Sequence, residues 1–365
     1  MKKKKGLIVG ISAVILTLSA VLVWKFVPVT PQATVEQSIP SSPAVELTEE
    51  ERVYKELIGN LTDVISDSEK VQVQTLIKKL IDIENNGDNK EQKSFVYKDI
   101  IKILDEVTLR GHSKEDLETY KKYYDATQGV MDNGLTTEQY QYEIISDGTI
   151  SAKTSVSEAK FAQHQQLWEK TKKIIPFNLL TGVKYFIPFV PPEKDGYAAG
   201  FMQPIDFSSK PYEWSLGVAT IAEEKFLAYI LIHEYGHYIS LKDAKLNFTD
   251  DFSTLTADDG ALLQEFIVKC NGYIAEEFDN IDKNNHYLFY ARHKDDFVSK
   301  YAATNLLDDF AESFTHFVKG DSYTSDTLKK KMEFFEDKPE MVNMKNQILF
   351  NLKSNGIDEI VDVTQ

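Results

Sequence analysis

The stretch His233-Glu234-Tyr235-Gly236-His237, which follows the apolar run Phe226 to Ile232, decides how this chain is read. Two histidines four positions apart on a helix lie one turn above each other on the same face. Both imidazoles can then reach one Zn²⁺ while the intervening glutamate holds a water beside it. The HExxH pattern is short and also arises by chance, so its surroundings decide its weight. Thr220 and Glu223 form a Thr-x-x-Glu capping box that predicts a helix start just upstream. The apolar run predicts a helix buried on most sides, as one crossing a core would be. Gly236 costs about 1 kcal/mol relative to alanine inside a helix, which close approach by another segment would explain. The competing reading is a core helix with two hydrogen-bonded histidines.

A catalytic zinc site needs a third protein ligand and leaves one position for water. The nearby metzincin pattern wants glycine three positions beyond the second histidine and a ligand three beyond that. Ser240 and Asp243 stand there. Without the glycine the helix has no means of turning away at Ser240, so Asp243 reads as an exposed aspartate near a helix end. A better candidate lies in the stretch Tyr301 to Glu312. Asn305 suits an N-cap, and Phe310, Phe314 and Phe317 recur at helical spacing as a core-facing stripe. Asp308 and Glu312, four apart, share one face of that helix. One carboxylate can bind the metal while the other hydrogen-bonds a ligand histidine and fixes its ring. Asp309 points about 100° around the helix from Asp308. His316, four beyond Glu312, is a further candidate on the shared face.

The HExxH segment, followed by Tyr301-Ala302-Ala303-Thr304-Asn305 and Asp309-Phe310-Ala311-Glu312, resembles the zincin metallopeptidases related to anthrax lethal factor and the secreted Pro-Pro endopeptidases. It also resembles a broader group of bacterial zinc-binding metallopeptidases. The resemblance covers roughly residues 160 to 320. In those relatives a tyrosine precedes the third zinc ligand by seven residues, which implies Asp308 as ligand and Tyr301 as the group that assists the oxyanion. Glu312 then corresponds to a carboxylate behind the site. The family usually has glutamate where this chain has Asp308. Aspartate is one methylene shorter, so either the second helix sits closer or Glu312 takes over as ligand. The resemblance implies a zincin-like α+β fold over residues 136–365 and a Zn²⁺ cofactor.

Upstream, Gly196 to Gln203 and Glu213 to Ala219 read as two short strands, and Tyr185 to Val190 as another. Trp214, Leu216 and Val218 alternate with Ser215, Gly217 and Ala219, the period of a half-buried strand. In zincins an edge strand before the active-site helix pairs with extended peptide substrate, where main-chain hydrogen bonds give affinity and side-chain pockets give specificity. Gln141 to Ile145 is β-leaning, and Ser155 to Lys173 reads as a helix. The chain after Gly320 reads as a final helical segment.

The N-terminal part divides by composition. Lys2 to Lys5 precede 19 uncharged residues, Gly6 to Trp24, which as a helix span roughly 28 Å, close to the hydrocarbon thickness of a bilayer. That length exceeds a typical signal-peptide core, so residues 1–28 read as a retained signal-anchor, with a cleaved signal peptide as the alternative. Either way the lysines stay cytoplasmic and the rest is exported, facing outward at the cell surface or secreted. Residues 29–46 read as a Pro/Ser/Thr linker and 47–135 as a helical region, with Leu57, Leu61 and Val64 on one face. A net charge of −16 argues against nucleic acid as a partner. The one cysteine, Cys270, cannot form an intramolecular disulfide. His112, His164, His286 and His293 read as surface residues.

The expectation is an exported, membrane-anchored zinc endopeptidase acting on extended peptide or protein substrates, with His233, His237 and Asp308 on the metal. Glu234 is the expected general base, Tyr301 the expected oxyanion donor. Two alternatives stay open. One is a surface binding or sensing module that keeps zinc but has lost catalysis, which the shortened Asp308 favours. The other is a zinc hydrolase acting on cell-wall amides.

Overall fold

The computed structural model describes residues 21–22, 47–87, 89–132, 138–153, 155–191, 197–205, 212–243, 246–247, 256–257 and 262–362. The basic start, nearly all of the apolar segment, the linker and residues 133–137 lie outside them. Among the described residues no helix is long and apolar enough to cross a membrane.

Four helices come first: α1 (Glu49–Ile58), α2 (Asp67–Asn85), α3 (Lys90–Gly111) and α4 (Lys114–Asp132). Thr48 with Glu51 and Ser66 with Glu69 form reciprocal capping boxes, so two of the starts are set by local sequence. Val53, Leu57, Leu61, Val73, Ile77, Ile100 and Leu104 make the core shared by α1, α2 and α3, while Leu117 of α4 packs with Leu288 and Ala291 further along the chain. The helical face expected through Val64 breaks earlier. Helix α1 ends at Ile58, and a 3₁₀ turn over Gly59–Leu61 leaves Val64 exposed.

The remainder is mixed α+β around one six-stranded sheet. Its strands are β1 (Glu138–Gln139), β2 (Tyr142–Ile144), β3 (Ile150–Ala152), β4 (Val183–Val190), β5 (Gly200–Pro204) and β6 (Trp214–Ala219). The order is β3-β2-β4-β6-β5, with β1 also on β4. Helix α5 (Glu158–Ile174) precedes β4; strands β4 and β6 run parallel, and β5, which lies between them in the chain, is antiparallel to β6 and forms the edge. The half-buried strand expected before the HExxH helix is instead central and buried at all six positions. Neighbours on both sides and helices on the sheet leave it no wet face. The edge role belongs to β5.

Helix α6 (Leu227–Leu241) follows β6, and all 15 of its residues are buried. Its start differs from the sequence expectation. Thr220 caps nothing: its hydroxyl and its amide both donate to the Phe189 carbonyl at the end of β4. The chain enters the helix through a 3₁₀ turn at Glu224–Phe226. A tertiary hydrogen bond has taken the group that a local cap would use.

The chain continues through α7 (Leu262–Phe266), a π-helical turn at Ile267–Asn271, α8 (Tyr273–Phe278) and α9 (His286–His293). Helices α10 (Leu306–Lys319), α11 (Asp326–Glu336) and α12 (Pro339–Ser354) complete the fold. Phe310, Phe314 and Phe317 of α10 pack with Phe266 and Phe335 into the main core, as the spacing predicts. Cys270 is buried, and that burial pushes its thiol up to about 12.

The N-terminal helices dock on α8 and α9 through buried polar groups. Arg292 bonds Asp105 at 3.0 Å, Thr108 at 3.1 Å and Glu277 at 2.6 Å. His293 places one ring nitrogen 3.0 Å from Glu277 and the other 3.1 Å from Asp296. It is therefore no surface residue, and neither is His164, which is buried with Nδ1 2.7 Å from the Tyr142 hydroxyl. Each has found partners that sequence spacing does not reveal.

Candidate metal centre

Helix α6 carries His233 and His237 on one face, and α10 crosses it there. Gly236 permits the crossing: a Cβ at that position would lie 2.8 Å from Ala311 Cα, closer than packed atoms approach. The glycine cost inside a helix is thus accounted for by interhelical contact.

The crossing brings His233, His237 and Asp308 together as a buried group that could hold a metal ion. Their facing atoms are 3.0 Å apart for the two Nε2, 3.2 Å from His237 Nε2 to Asp308 Oδ1, and 3.6 Å from His233 Nε2 to the same oxygen. A small tetrahedral ion bound at roughly 2.0–2.1 Å separates its ligand atoms by about 3.3 Å, so the three fit one. The shorter aspartate reaches because α10 packs so closely on α6.

Asp308 is aimed as well as near. Its other oxygen, Oδ2, accepts from Thr304 Oγ1 at 2.8 Å and from Asn305 Nδ2. Asn305 caps α10 by accepting the Asp308 amide at 2.8 Å. The capping residue thus fixes both the helix start and the carboxylate, leaving Oδ1 toward the histidines. Burial would raise the Asp308 pKa, but the two imidazoles outweigh it and hold the carboxyl well below its usual range.

Glu312 stands behind the site instead of in it. Its Oε1 is 2.7 Å from His233 Nδ1, the ring nitrogen turned away from His237. Its Oε2 accepts from Tyr229 at 2.8 Å and from Ser299 at 2.6 Å. Of the two carboxylates that could have been the third ligand, Asp308 is the one at the convergence. Burial alone would depress the His233 pKa; Asp308 and Glu312 reverse that and raise it to about 10. His237, whose Nδ1 has no hydrogen-bond partner among the described residues, is shifted down by burial.

Glu234 is fully buried in the helical turn between the two histidines; neither carboxylate oxygen makes a hydrogen bond of ordinary geometry among the described residues, although the Met202 backbone of β5 lies near enough to oppose the rise of its pKa. Burial pushes its pKa to about 8, with His233 opposing and Asp308 adding to the rise. The edge strand passes directly over it. A Cβ on Gly200 of β5 would lie 2.9 Å from Glu234 Oε1. Tyr301 is buried, its ring centroid 5.5 Å from that of His233. Ser299, which donates to Glu312, also accepts the Ala302 amide at 2.9 Å and so pins the turn that carries Tyr301.

The remaining candidates are elsewhere. Asp309 is buried on another face in a pair with Lys331 at 2.7 Å, also accepting from Asn271 at 2.8 Å. Asp243 is exposed beyond the end of α6, and Ser240 stays within the helix with its hydroxyl on the His237 carbonyl. His316 contacts Tyr229 and Asp321, not the ligand atoms. Sequence reasoning missed Tyr229 and Ser299. Tyr229 carried a usable signal, since it lies four residues before His233 on the same helix face; Ser299 carried none.

Comparison of the chain with protein-family models, curated proteins and solved structures found no match.

Proposed function

We propose that this chain is a zinc-dependent endopeptidase of the zincin type, exported and held at the membrane by its N-terminal segment. Glu234 carries the reading: it is a fully buried carboxylate without a hydrogen bond of ordinary geometry among the described residues, in the helical turn between two convergent histidines. An unpartnered buried carboxylate opposes folding, and a purely structural metal site has no use for one. A general base must keep its oxygens free for a reacting proton.

Zn²⁺ held by His233, His237 and Asp308 would supply Lewis acidity toward a water and a scissile carbonyl. Glu234 takes a proton from that water and later delivers it to the leaving amine; its raised pKa suits both steps. Tyr301, beside His233, donates to the developing oxyanion. Strand β5 pairs on one side only among the described residues, so its outer edge can take an extended peptide as a further strand. Gly200 keeps the substrate backbone close to Glu234 by having no side chain to intervene. Export follows from the lysine cluster that precedes the uncharged segment.

The deciding experiment pairs metal analysis with peptide-library cleavage for the parent chain and Glu234→Gln. Both proteins should hold one zinc, and the variant should lose turnover by about 10²–10⁴-fold. Cleavage that survives in the variant rejects the assignment. Bound zinc in a parent chain that cuts no peptide would point to the non-catalytic binding module.

A further inference from the structure

Glu312 uses one oxygen on the His233 ring and the other on Tyr229 and Ser299, so the ring's orientation depends on what holds that second oxygen. Behind it the chain of contacts continues. The Tyr229 hydroxyl lies 3.3 Å from His316 Nε2. His316 Nδ1 faces Asp321 at 2.7 Å and the Tyr323 hydroxyl at 2.6 Å, and its Nε2 lies 3.6 Å from Asp362. Tyr229 and His316 are both buried. Asp321 and Tyr323 belong to the link after α10, and Asp362 to the last described stretch, whose Ile360 is buried in the main core.

We propose that Tyr229 and His316 are positioning residues that set the Glu312 carboxylate against His233, and that they thereby tie metal retention to docking of the segment around Asp321, Tyr323 and Asp362. The inference rests on the metal site proposed above, but not on catalysis by it. It follows from valence. A carboxylate with one oxygen on an imidazole keeps its plane only if the other oxygen is also held, and losing such a partner behind a ligand lets the ring turn. Both partners of Oε2 are hydroxyls, and of the two only Tyr229 is itself held by a further buried ring.

The test uses the full chain loaded with Zn²⁺ and read by competition with a chromophoric chelator. Tyr229→Phe removes one oxygen and keeps the ring, and should weaken zinc affinity by about tenfold, the low end for groups behind a metal ligand. His316→Gln should weaken it in the same direction. The double variant should lose no more than the worse single one, because the two act in series. Tyr142→Phe is the control. It breaks the buried Tyr142–His164 contact, chemically alike but on the sheet, and should leave affinity unchanged. Affinities within twofold of the parent in Tyr229→Phe and His316→Gln overturn the inference while leaving the metal site intact. An equal loss in Tyr142→Phe also overturns it, since the effect would then be general loosening. A parent chain that binds no zinc overturns the inference and the site together.

Discussion

Two carboxylates one turn apart on α10, Asp308 and Glu312, meet the histidines of α6 in different ways. Asp308 reaches the two histidines because Gly236 and Ala311 bring the helices together. The longer Glu312, one turn on, serves His233 from behind. The sequence left these two carboxylates open because both lie on the same helix face. What separates them is the grip of Thr304 and Asn305 on Asp308 Oδ2, and that is a matter of side-chain geometry. Tyr301 is the other residue whose role can be read at this scale. Tyr301→Phe should keep its zinc while kcat/KM falls by about 10²-fold or more, the usual loss when one oxyanion donor is removed. Steady-state kinetics beside metal analysis checks this, and an unchanged rate removes Tyr301 from the mechanism.

Elements were legible where their cause is local. The capped start of α10 at Asn305, its phenylalanine stripe and the apolar run of α6 could all be read in order along the chain. Elements were misread where a distant partner intervenes. Thr220 looks like a cap until the Phe189 carbonyl is found beside it, and β6 looks half-exposed until β4 and β5 flank it. Alternation of large and small residues in β6 reflects Gly217, which makes room for the Phe201 ring, and not a wet face. The α6–α10 crossing makes its own prediction. Gly236→Ala drives a methyl into Ala311 and should destabilise the fold by about 1–3 kcal/mol, as overpacking does, despite alanine's better helix propensity. Chemical denaturation measures it; a stabilised variant would mean that the helices part without cost. Metal affinity should fall in the same variant, because the ligands sit on opposite sides of that contact.

For the molecule as a whole, the N-terminal helices and the helices α8 and α9 are joined by the Asp105–Arg292–Glu277–His293 cluster. None of this was visible in the sequence, where Arg292 and His293 stand without periodic context. Burial opposes the charged form of His293, but Glu277 and Asp296 outweigh it and raise its pKa above the ordinary value. The stability it contributes is therefore fully present below about pH 6.5 and is lost as pH rises through the higher folded value. Glu277 is shifted the other way: burial is outweighed by Arg292 and His293, so its contribution is lost as pH falls. The gap in urea midpoint between the parent chain and His293→Gln should accordingly be widest near pH 6 and narrow toward pH 9. A gap that widens with pH would contradict the charged pairing.

The state of Cys270 has a practical corollary for anyone who wants to watch this protein move. The chain has one thiol, and it is buried with its ionisation suppressed to about pH 12. Thiolate is the reactive form, so maleimide chemistry near neutrality will pass over it in the native state. The wild-type background is thus already blank for labelling. Cysteines introduced at two exposed positions, Lys114 on α4 and Phe350 on α12, can carry a donor and an acceptor dye while the native thiol stays in place. The separation of the N-terminal helices from the C-terminal ones then becomes a distance that single-molecule fluorescence can follow.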